Sequence, residues 1–251
     1  MAYINRKNFI ADLPIISIIS VVYNAEKYIE QTLLSLVNQT YKNIEIIIVD
    51  GGSTDGTLDI IKRYETGISY WISEPDKGIY DAMNKATKVV TGDWVNFVGA
   101  GDIVLNVLHK VVPKLRDNNA IYYGDVYRND LLKVFNGKFS IFRFSRISIC
   151  HQAILYPARV YNNYSYDLKY RSNSDHHLNI LLYGDKQYKW KYLPVIICIY
   201  EGGGYSEVNK DYNFIKDRVN VVKQNMPFFV YVYAYSRNVI YRLLNSKTFK
   251  K

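Results

Sequence analysis

Runs of Ile and Val alternate with amphipathic segments along the first part of the chain. Four of these runs are mostly apolar, which is typical of strands buried on both faces of a sheet. Three segments between them carry apolar residues at helical spacing. Three βα units followed by a fourth strand predict a parallel sheet covered by helices, and therefore an α/β fold. The predicted strands are 15–22, 44–49, 68–72 and 94–98, and the predicted helices are 29–37, 57–64 and 79–90.

The hydrophobic pattern is less regular after Asp102. Gly124 and the pairs Asn129-Asp130 and Asn136-Gly137 interrupt short apolar runs, which predicts turns between short strands. The predicted elements are a helix at 104–115, short strands within 121–144, a helix at 174–183, two short strands within 189–200 and a loop at 202–204. We therefore predict one domain at 1–226, with halves at 1–102 and 103–226, followed by a separate segment at 227–251.

The segment 227–251 differs in composition from the rest of the chain. It combines aromatic residues with Lys and Arg and contains no acidic residue. Aromatic side chains with polar tips beside cations suit a membrane interface. The same residues also suit a final helix that packs on the core. The segment is thus predicted to be either an anchor on an anionic membrane surface or a packed helical extension.

Composition narrows the class of protein. The 251 residues are 49% hydrophobic and 22% charged, a balance that excludes disorder and coiled coil and indicates a globular protein with a large core. Cys150 and Cys198 are too few for a disulfide scaffold and wrongly spaced for zinc, which favours a reducing compartment. The apolar run at 13–23 is too short to span a bilayer. We therefore expect a cytoplasmic protein.

The net charge of +9 favours an anionic partner such as a diphosphate, a nucleic acid or an acidic membrane. The turns after the predicted strands are more specific, because ligands of parallel α/β sheets bind beyond the carboxyl ends of the strands. All are polar or glycine-rich, which suits a diphosphate, whereas the glycine motif of dinucleotide oxidoreductases and the P-loop are absent. Their carboxylates would repel a nucleic acid, so no nucleic-acid partner is expected. The turns are 23–25, 50–56, 73–78 and 99–102.

Motifs in these turns and beyond them occur in a recognisable order. They are 18–24, 49–57, 73–85, Gly101-Asp102, His151-Gln152, Asp175 and Gly202-Gly203. In this order they resemble the inverting family 2 glycosyltransferases with a GT-A fold, especially the branch that includes the colanic-acid enzymes of bacterial polysaccharide assembly. The resemblance extends from Pro14 to Ser206. It implies a Rossmann-like, mostly parallel central sheet with helices on both faces, a small mixed sheet on the acceptor side and a C-terminal helical extension.

The resemblance also implies which residues bind the donor, a nucleoside diphosphate sugar and most simply a UDP-sugar. Asp50 matches the family position that hydrogen-bonds the nucleotide base, although a capping role alone would also account for it. Asp55 is interpreted as a cap of the following helix and not as a catalytic group. The full set implied for the nucleotide-sugar is Tyr23, Asn24, Glu26, Asp50, Gly52, Ser53, Asp76, Lys85, Gly101 and Asp102.

Three further roles follow from the resemblance. Asp102 matches the last carboxylate of a D-x-D-type motif, which implies that it binds Mg²⁺ or Mn²⁺, although Gly99-Ala100-Gly101 departs from the acidic or amide residues of many relatives. Asp175 is implied as the general base, with helix capping as the alternative. His151 and Gln152 are implied beside the donor diphosphate and the acceptor.

The function implied is transfer of one sugar, with inversion, from a UDP-sugar to a glycan or lipid-linked acceptor in bacterial surface polysaccharide biosynthesis. We expect such an enzyme to be peripheral on the inner face of the cytoplasmic membrane. The alternative is a catalytically weak or inactive partner protein that binds a nucleotide-sugar, an alternative suggested by Gly99-Ala100-Gly101.

Overall fold

The computed structural model describes residues 1–5, 8–204 and 208–246. Its strands are β1 Ala2–Ile4, β2 Ile16–Val22, β3 Ile44–Asp50, β4 Tyr70–Ser73, β5 Trp94–Phe97, β6 Ile103–Val104, β7 Ala120–Arg128, β8 Lys133–Phe135, β9 Ile154–Pro157 and β10 Lys189–Tyr200. Its helices are α1 Ile29–Val37, α2 Thr57–Arg63, α3 Ile79–Thr87, α4 Leu108–Val111, α5 Ile141–Phe144, α6 Ser174–Gly184, α7 Tyr212–Asn225 and α8 Phe228–Ser246.

These strands form one ten-stranded sheet in the order β1-β4-β3-β2-β5-β9-β7-β10-β6, with β8 paired to β7. Strands β4, β3, β2 and β5 are mutually parallel. Beyond β5 the sheet is mixed, because β9 is antiparallel to β5 and to β7 while β7 and β10 are parallel. The predicted α/β fold is therefore confirmed, and the mixed strands continue the parallel sheet.

Two hydrophobic cores cover the two faces of the sheet. Successive strand residues point to opposite faces, so that Ile18 and Ile46 enter one core while Ile19 and Ile47 enter the other. Helices α1 and α2 pack on the first core, and α3, α6, α7 and α8 pack on the second. Burial on both faces explains why β2 and β3 are continuous apolar runs and do not alternate with polar residues.

The structure differs from the predicted elements mainly after Asp102. The predicted helix at 104–115 is divided into the two-residue strand β6, the short helix α4 and a 3₁₀ turn at Val112–Lys114. Pro113 lacks the N–H that an α-helix would need there. The two short strands expected within 189–200 are one strand, β10, with register shifts between Tyr192 and Cys198.

The C-terminal segment is helical from Phe228 to Ser246. Met226 and Pro227 separate α7 from α8, and α8 buries Val230 and Ala234 in the second core. Within the three described ranges, no helix combines the length and the apolar character needed to cross a bilayer.

Candidate active site

Two adjoining cavities open at the carboxyl edge of the parallel strands. Cavity A, of about 840 Å³, lies against the turns that follow β2 and β4 and is lined by Tyr23, Asn24, Asp76 and Arg171 among others. Cavity B, of about 570 Å³, lies beyond β5. Its polar lining includes Asp102, His151, Gln152 and Asp175. Val21, Ile79, Tyr80 and Ala100 line both cavities, so the two spaces share a wall.

Asp50, at the end of β3, organises the turns beside cavity A but does not line it. Its side chain is 0% exposed. One carboxylate oxygen accepts hydrogen bonds from the Ser73 hydroxyl at 2.6 Å and the Ser53 N–H at 3.0 Å, and the other accepts from the Ser53 hydroxyl. Gly52, at φ +83°, also donates its N–H to this carboxylate. Asp50 therefore joins β4 to the turn after β3.

Asn24 and Ser53 connect the turns after β2 and β3. Asn24 adopts a left-handed φ of 47° and accepts the Thr54 N–H at 2.9 Å, while its own N–H donates to the Ser53 hydroxyl at 2.8 Å. Asn tolerates this conformation better than most residues do. These bonds hold Tyr23 and Asn24 on the wall of cavity A.

Glu26 and Asp55 serve the start of α2. Glu26 accepts the Gly56 N–H at 3.0 Å. Asp55 accepts the Thr57 N–H at 3.0 Å. Slight desolvation acts to raise the pKa of Asp55, but its hydrogen bonds from Thr57 and from the Glu26 N–H outweigh it and lower the pKa. The interpretation of Asp55 as a cap agrees with this geometry. Neither carboxylate lines cavity A or B.

The turn after β4 presents Asp76 to cavity A and is held by Lys85. Asp76 accepts the Gly78 N–H at 2.7 Å. Lys85 Nζ lies 2.8 Å from a carboxylate oxygen of Glu74 and donates to the carbonyl of Pro75 at 2.9 Å. The hydrogen bond to Glu74 raises the pKa of Lys85. Lys85 thus supports the turn from behind and does not line the cavity.

Asp102 is a nearly buried carboxylate in the lining of cavity B. It accepts hydrogen bonds from Gln152 Nε2 at 2.8 Å, from the Gly99 N–H at 3.2 Å and from the Glu201 N–H at 3.3 Å. Gly101, at φ +101°, makes the turn that brings it there, and the Thr32 hydroxyl binds the Gly101 N–H at 2.9 Å. Removal from water raises the pKa of Asp102 to about 6, although these donors act in the opposite direction.

Asp175, in the first turn of helix α6, also belongs to the polar lining of cavity B. One of its oxygens accepts the Tyr80 hydroxyl at 2.8 Å and the other accepts the Ser148 hydroxyl at 3.0 Å. Each oxygen keeps a lone pair that neither bond occupies. Burial, and then the nearby charge of Asp175, raise the pKa of Tyr80 well above its ordinary value, so Tyr80 stays a hydrogen-bond donor.

His151 and Gln152 lie in the 3₁₀ turn His151–Ala153, directly before β9. The His151 ring stacks on Phe97 at 4.8 Å between centroids, and its Nε2 lies 2.9 Å from the Tyr166 hydroxyl. Burial lowers the pKa of His151, which keeps the imidazole neutral near pH 7. Because Gln152 donates to Asp102, this pair connects the wall of the cavity to the carboxylate.

Some of the predicted site residues line a cavity in the structure, and the others do not. Glu26, Asp50, Gly52, Ser53, Lys85 and Gly101 line neither cavity; Tyr23, Asn24, Asp76, Asp102, His151, Gln152 and Asp175 do. Sequence reasoning missed Ser148 and Arg171, which stand in irregular segments with no periodic signal. It also missed Tyr80 as a partner of Asp175, although Tyr80 belongs to the motif at 73–85.

Asp102 is the side chain that would bind a divalent cation. No group of three or more His, Cys, Asp or Glu side chains in residues 1–5, 8–204 and 208–246 could hold a metal ion. A hard cation such as Mg²⁺ uses one or two carboxylates and completes its shell with water and phosphate oxygens. A desolvated carboxylate whose partners in the described part of the chain are N–H donors fits such an ion when a diphosphate supplies the other ligands.

The fold and the two cavities define an α/β protein of the GT-A type. Residues 17–207 match the family model described as "Glycosyl transferase family 2". The chain therefore belongs to glycosyltransferase family 2.

Curated relatives agree with this assignment. A "PGL/p-HBAD biosynthesis glycosyltransferase" of Mycobacterium bovis is 33% identical over 214 residues, which are 81% of this chain and 83% of the relative. An uncharacterized glycosyltransferase of Haemophilus influenzae is 37% identical over 98 residues, 38% of this chain and 39% of that protein.

Two solved structures share the fold at low sequence identity. The structure of S. aureus TarS 1–349 in complex with UDP-GlcNAc superposes with a TM-score of 0.65 at 19% identity over 84% of this chain. The mannosyltransferase PcManGT from Pyrobaculum calidifontis, in complex with GDP-Man and Mn²⁺, gives 0.63 at 17% identity over 86% of this chain. This chain spans 65% and 64% of those two chains.

Proposed function

We propose that this glycosyltransferase moves one sugar, with inversion, from a UDP-sugar to a lipid-linked glycan acceptor of bacterial surface polysaccharide assembly. The observation that carries the proposal is the placement of Asp102 and Asp175 on one cavity that shares a wall with a second cavity. A nucleotide in cavity A would extend its diphosphate and sugar toward Asp102 in cavity B. The nucleotide-sugars in the TarS and PcManGT structures support a donor of this class.

Cavity A has the chemistry that a nucleoside requires. Tyr23 offers an aromatic face, Asn24 and Asp76 offer groups for base N–H and ribose hydroxyls, and Arg171 offers a cation for phosphate. Asp50 contributes indirectly in this proposal, because its carboxylate holds the turns after β3 and β4 together.

The transfer is a single displacement. The acceptor hydroxyl oxygen bonds to the anomeric carbon, and the bond from that carbon to the diphosphate oxygen breaks with its electron pair going to the diphosphate. A free lone pair of Asp175 takes the acceptor proton. One attack from the opposite side of the anomeric carbon inverts its configuration.

Tyr80 and Ser148 position Asp175 for this step. Each donates to a different carboxylate oxygen, so the carboxylate plane is held on both sides. Asp102 would hold Mg²⁺ or Mn²⁺, which when bound neutralises the charge of the leaving diphosphate. Gln152, which donates to Asp102, orients that carboxylate toward the cavity.

The test is a screen of nucleotide-sugars for nucleotide release, with and without lipid-linked acceptor. We expect release from a UDP-sugar that depends on the acceptor. UDP binding without release from any donor would favour the alternative, a nucleotide-sugar-binding partner protein, for which Gly99-Ala100-Gly101 is the supporting observation.

Gly51→Ala is expected to weaken UDP binding by about 10-fold, which corresponds to the loss of a hydrogen bond to a charged group. A Cβ at Gly51 would collide with the Asp76 carboxylate and come within 3.4 Å of the Tyr23 ring, both of which line cavity A. Isothermal titration with UDP measures the effect. In an Asp76→Ala background the same change should have little further effect; an equal loss there would exclude Asp76 as its cause.

A further inference from the structure

Helix α8 packs on the protein through one face and leaves the opposite face apolar. Val230 is fully buried, and Ala234, four residues later, is buried beside it. Seven apolar residues around the opposite face are exposed by between 37% and 74%. At 3.6 residues per turn they lie along one side of the helix and form a stripe, within which Ser236 is a polar residue. The stripe consists of Phe228, Phe229, Val232, Tyr235, Val239, Ile240 and Leu243.

An exposed apolar stripe of this length marks an interaction surface, because a helix that faces water on one side normally carries polar residues there. The described neighbours contact only part of α8: α7 packs beside it, and Phe142 of α5 meets Phe229, a member of the stripe, and Tyr233. Its side chains keep exposed fractions of 37% or more, which leaves room for a partner on the stripe.

Cations flank the stripe at the edge next to α5 and α7. Arg146 donates to the Tyr233 hydroxyl at 3.3 Å, and the Arg237 guanidinium lies 5.9 Å from the Tyr233 ring. Arg218 donates to the Arg146 carbonyl at 2.9 Å, and the nearby charge of Arg146 adds to burial in lowering the pKa of Arg218. Among described side chains, none of these arginines forms an ion pair with a carboxylate.

The charge of the C-terminal sequence indicates the partner of the stripe. After Asp217, which pairs with Lys169 at 2.5 Å, the sequence contains no Asp or Glu. It continues with Arg218, Lys223, Arg237, Arg242, Lys247, Lys250 and Lys251. A second copy of this surface would bring like charges together, whereas an anionic bilayer offers both an apolar interior and negative headgroups.

We infer that α8 binds this protein to an anionic membrane surface. The stripe enters the headgroup region, and the arginines contact the lipid phosphates. The helix lies in the plane of the membrane and does not cross it. Membrane binding of this kind is independent of the sugar transferred.

Membrane binding through α8 also has a consequence for the proposed function. Helix α5 carries Phe142 against α8, and the residues that follow it, Ile147 and Ser148, line cavity B. Ile147 is 38% exposed. A membrane-bound α8 thus brings the wall of cavity B close to the lipid, where a lipid-linked acceptor would arrive. This step alone rests on the proposed function.

Vesicle flotation of the full chain without any substrate tests the inference. We expect at least ~10-fold more protein with phosphatidylcholine vesicles containing phosphatidylglycerol than with phosphatidylcholine alone, and release at high salt. The pair Val232→Ser and Val239→Ser should abolish binding. The pair Arg146→Gln and Arg237→Gln should remove the preference for anionic vesicles. Leu34→Ser, at an exposed apolar position of α1, is the matched control and should bind normally.

Circular dichroism checks that each variant folds, and UDP titration checks that cavity A is unchanged. Equal flotation with both kinds of vesicle, or none, would overturn the inference. Concentration-dependent dimerisation that the Val232→Ser and Val239→Ser pair abolishes, without vesicle binding, would assign the stripe to a second copy. Vesicle binding by a protein that transfers no sugar would leave the inference standing and reject the proposed function.

Discussion

Asp175→Asn is expected to lower the turnover of sugar transfer at least ~100-fold, because an amide cannot accept the proton of the acceptor hydroxyl. Asn is nearly isosteric with Asp, and its carbonyl oxygen can still accept from Tyr80 or Ser148. The affinity for UDP should change little, since Asp175 lines cavity B and not cavity A. Steady-state transfer rates and UDP titration measure the two quantities separately.

The control for this prediction is Asp167→Asn, an exposed carboxylate in the segment that precedes α6. It lines neither cavity and should retain normal turnover. Near-normal turnover of Asp175→Asn would leave Asp175 with only a structural role in the first turn of α6, which is the capping alternative.

Asp102→Asn is expected to lower turnover at least ~100-fold as well, since it removes the negative oxygen that would hold a cation at the diphosphate. The amide oxygen can still accept from Gln152, so the wall of the cavity should keep its shape. Transfer measured over a range of Mg²⁺ and Mn²⁺ concentrations tests the role directly. Full wild-type activity in excess chelator would exclude a cation from the mechanism.

The same substitution is expected to stabilise the metal-free protein at alkaline pH. The pKa of Asp102 is about 6 in the folded protein and about 3.9 in an unfolded chain. Because the folded value is raised, the folded state is favoured when Asp102 is protonated and loses free energy as the pH rises from about 4 through 6. The loss amounts to about 3 kcal/mol at pH 8.

Asn carries no charge, so Asp102→Asn should avoid this penalty but lose the hydrogen bond from the Glu201 N–H. The net gain in stability at pH 8 should be about 1–2 kcal/mol. The gain should be smaller at about pH 5, where much of the penalty is absent. Urea denaturation at both pH values measures it, with Asp59→Asn, an exposed carboxylate of α2, as the control. A destabilised Asp102→Asn protein at pH 8 would show that the carboxylate is not under a desolvation penalty.

The parallel half of the fold was predictable because its signals are local. Strands such as Ile44–Asp50 are buried on both faces, so apolar runs identified them, and α1 was predicted with its observed bounds at Ile29–Val37. The second half was less predictable. A single long strand, β10, contains register shifts that interrupt its pattern, and its pairing with β7 depends on residues far away in the sequence.

The candidate site divides in a similar way. Strand ends placed Asn24, Asp76 and Asp102 at one edge of the sheet, where the structure also has them. The partners of Asp175 could not be found in this way, because Tyr80 and Ser148 come from α3 and from an irregular segment that only folding brings to α6. The catalytic and binding roles of these residues stay predictions.

The sequence by itself determined the α/β class, the glycosyltransferase family and the turns that carry the polar residues, since these depend on periodicity and on motifs of neighbouring residues. Only the tertiary structure decided that Asp50 and Lys85 support the site from behind, that Asp102 is desolvated, and that α8 exposes an apolar stripe. Burial and hydrogen bonding depend on contacts between residues that are far apart in the sequence, and local sequence patterns do not reveal such contacts.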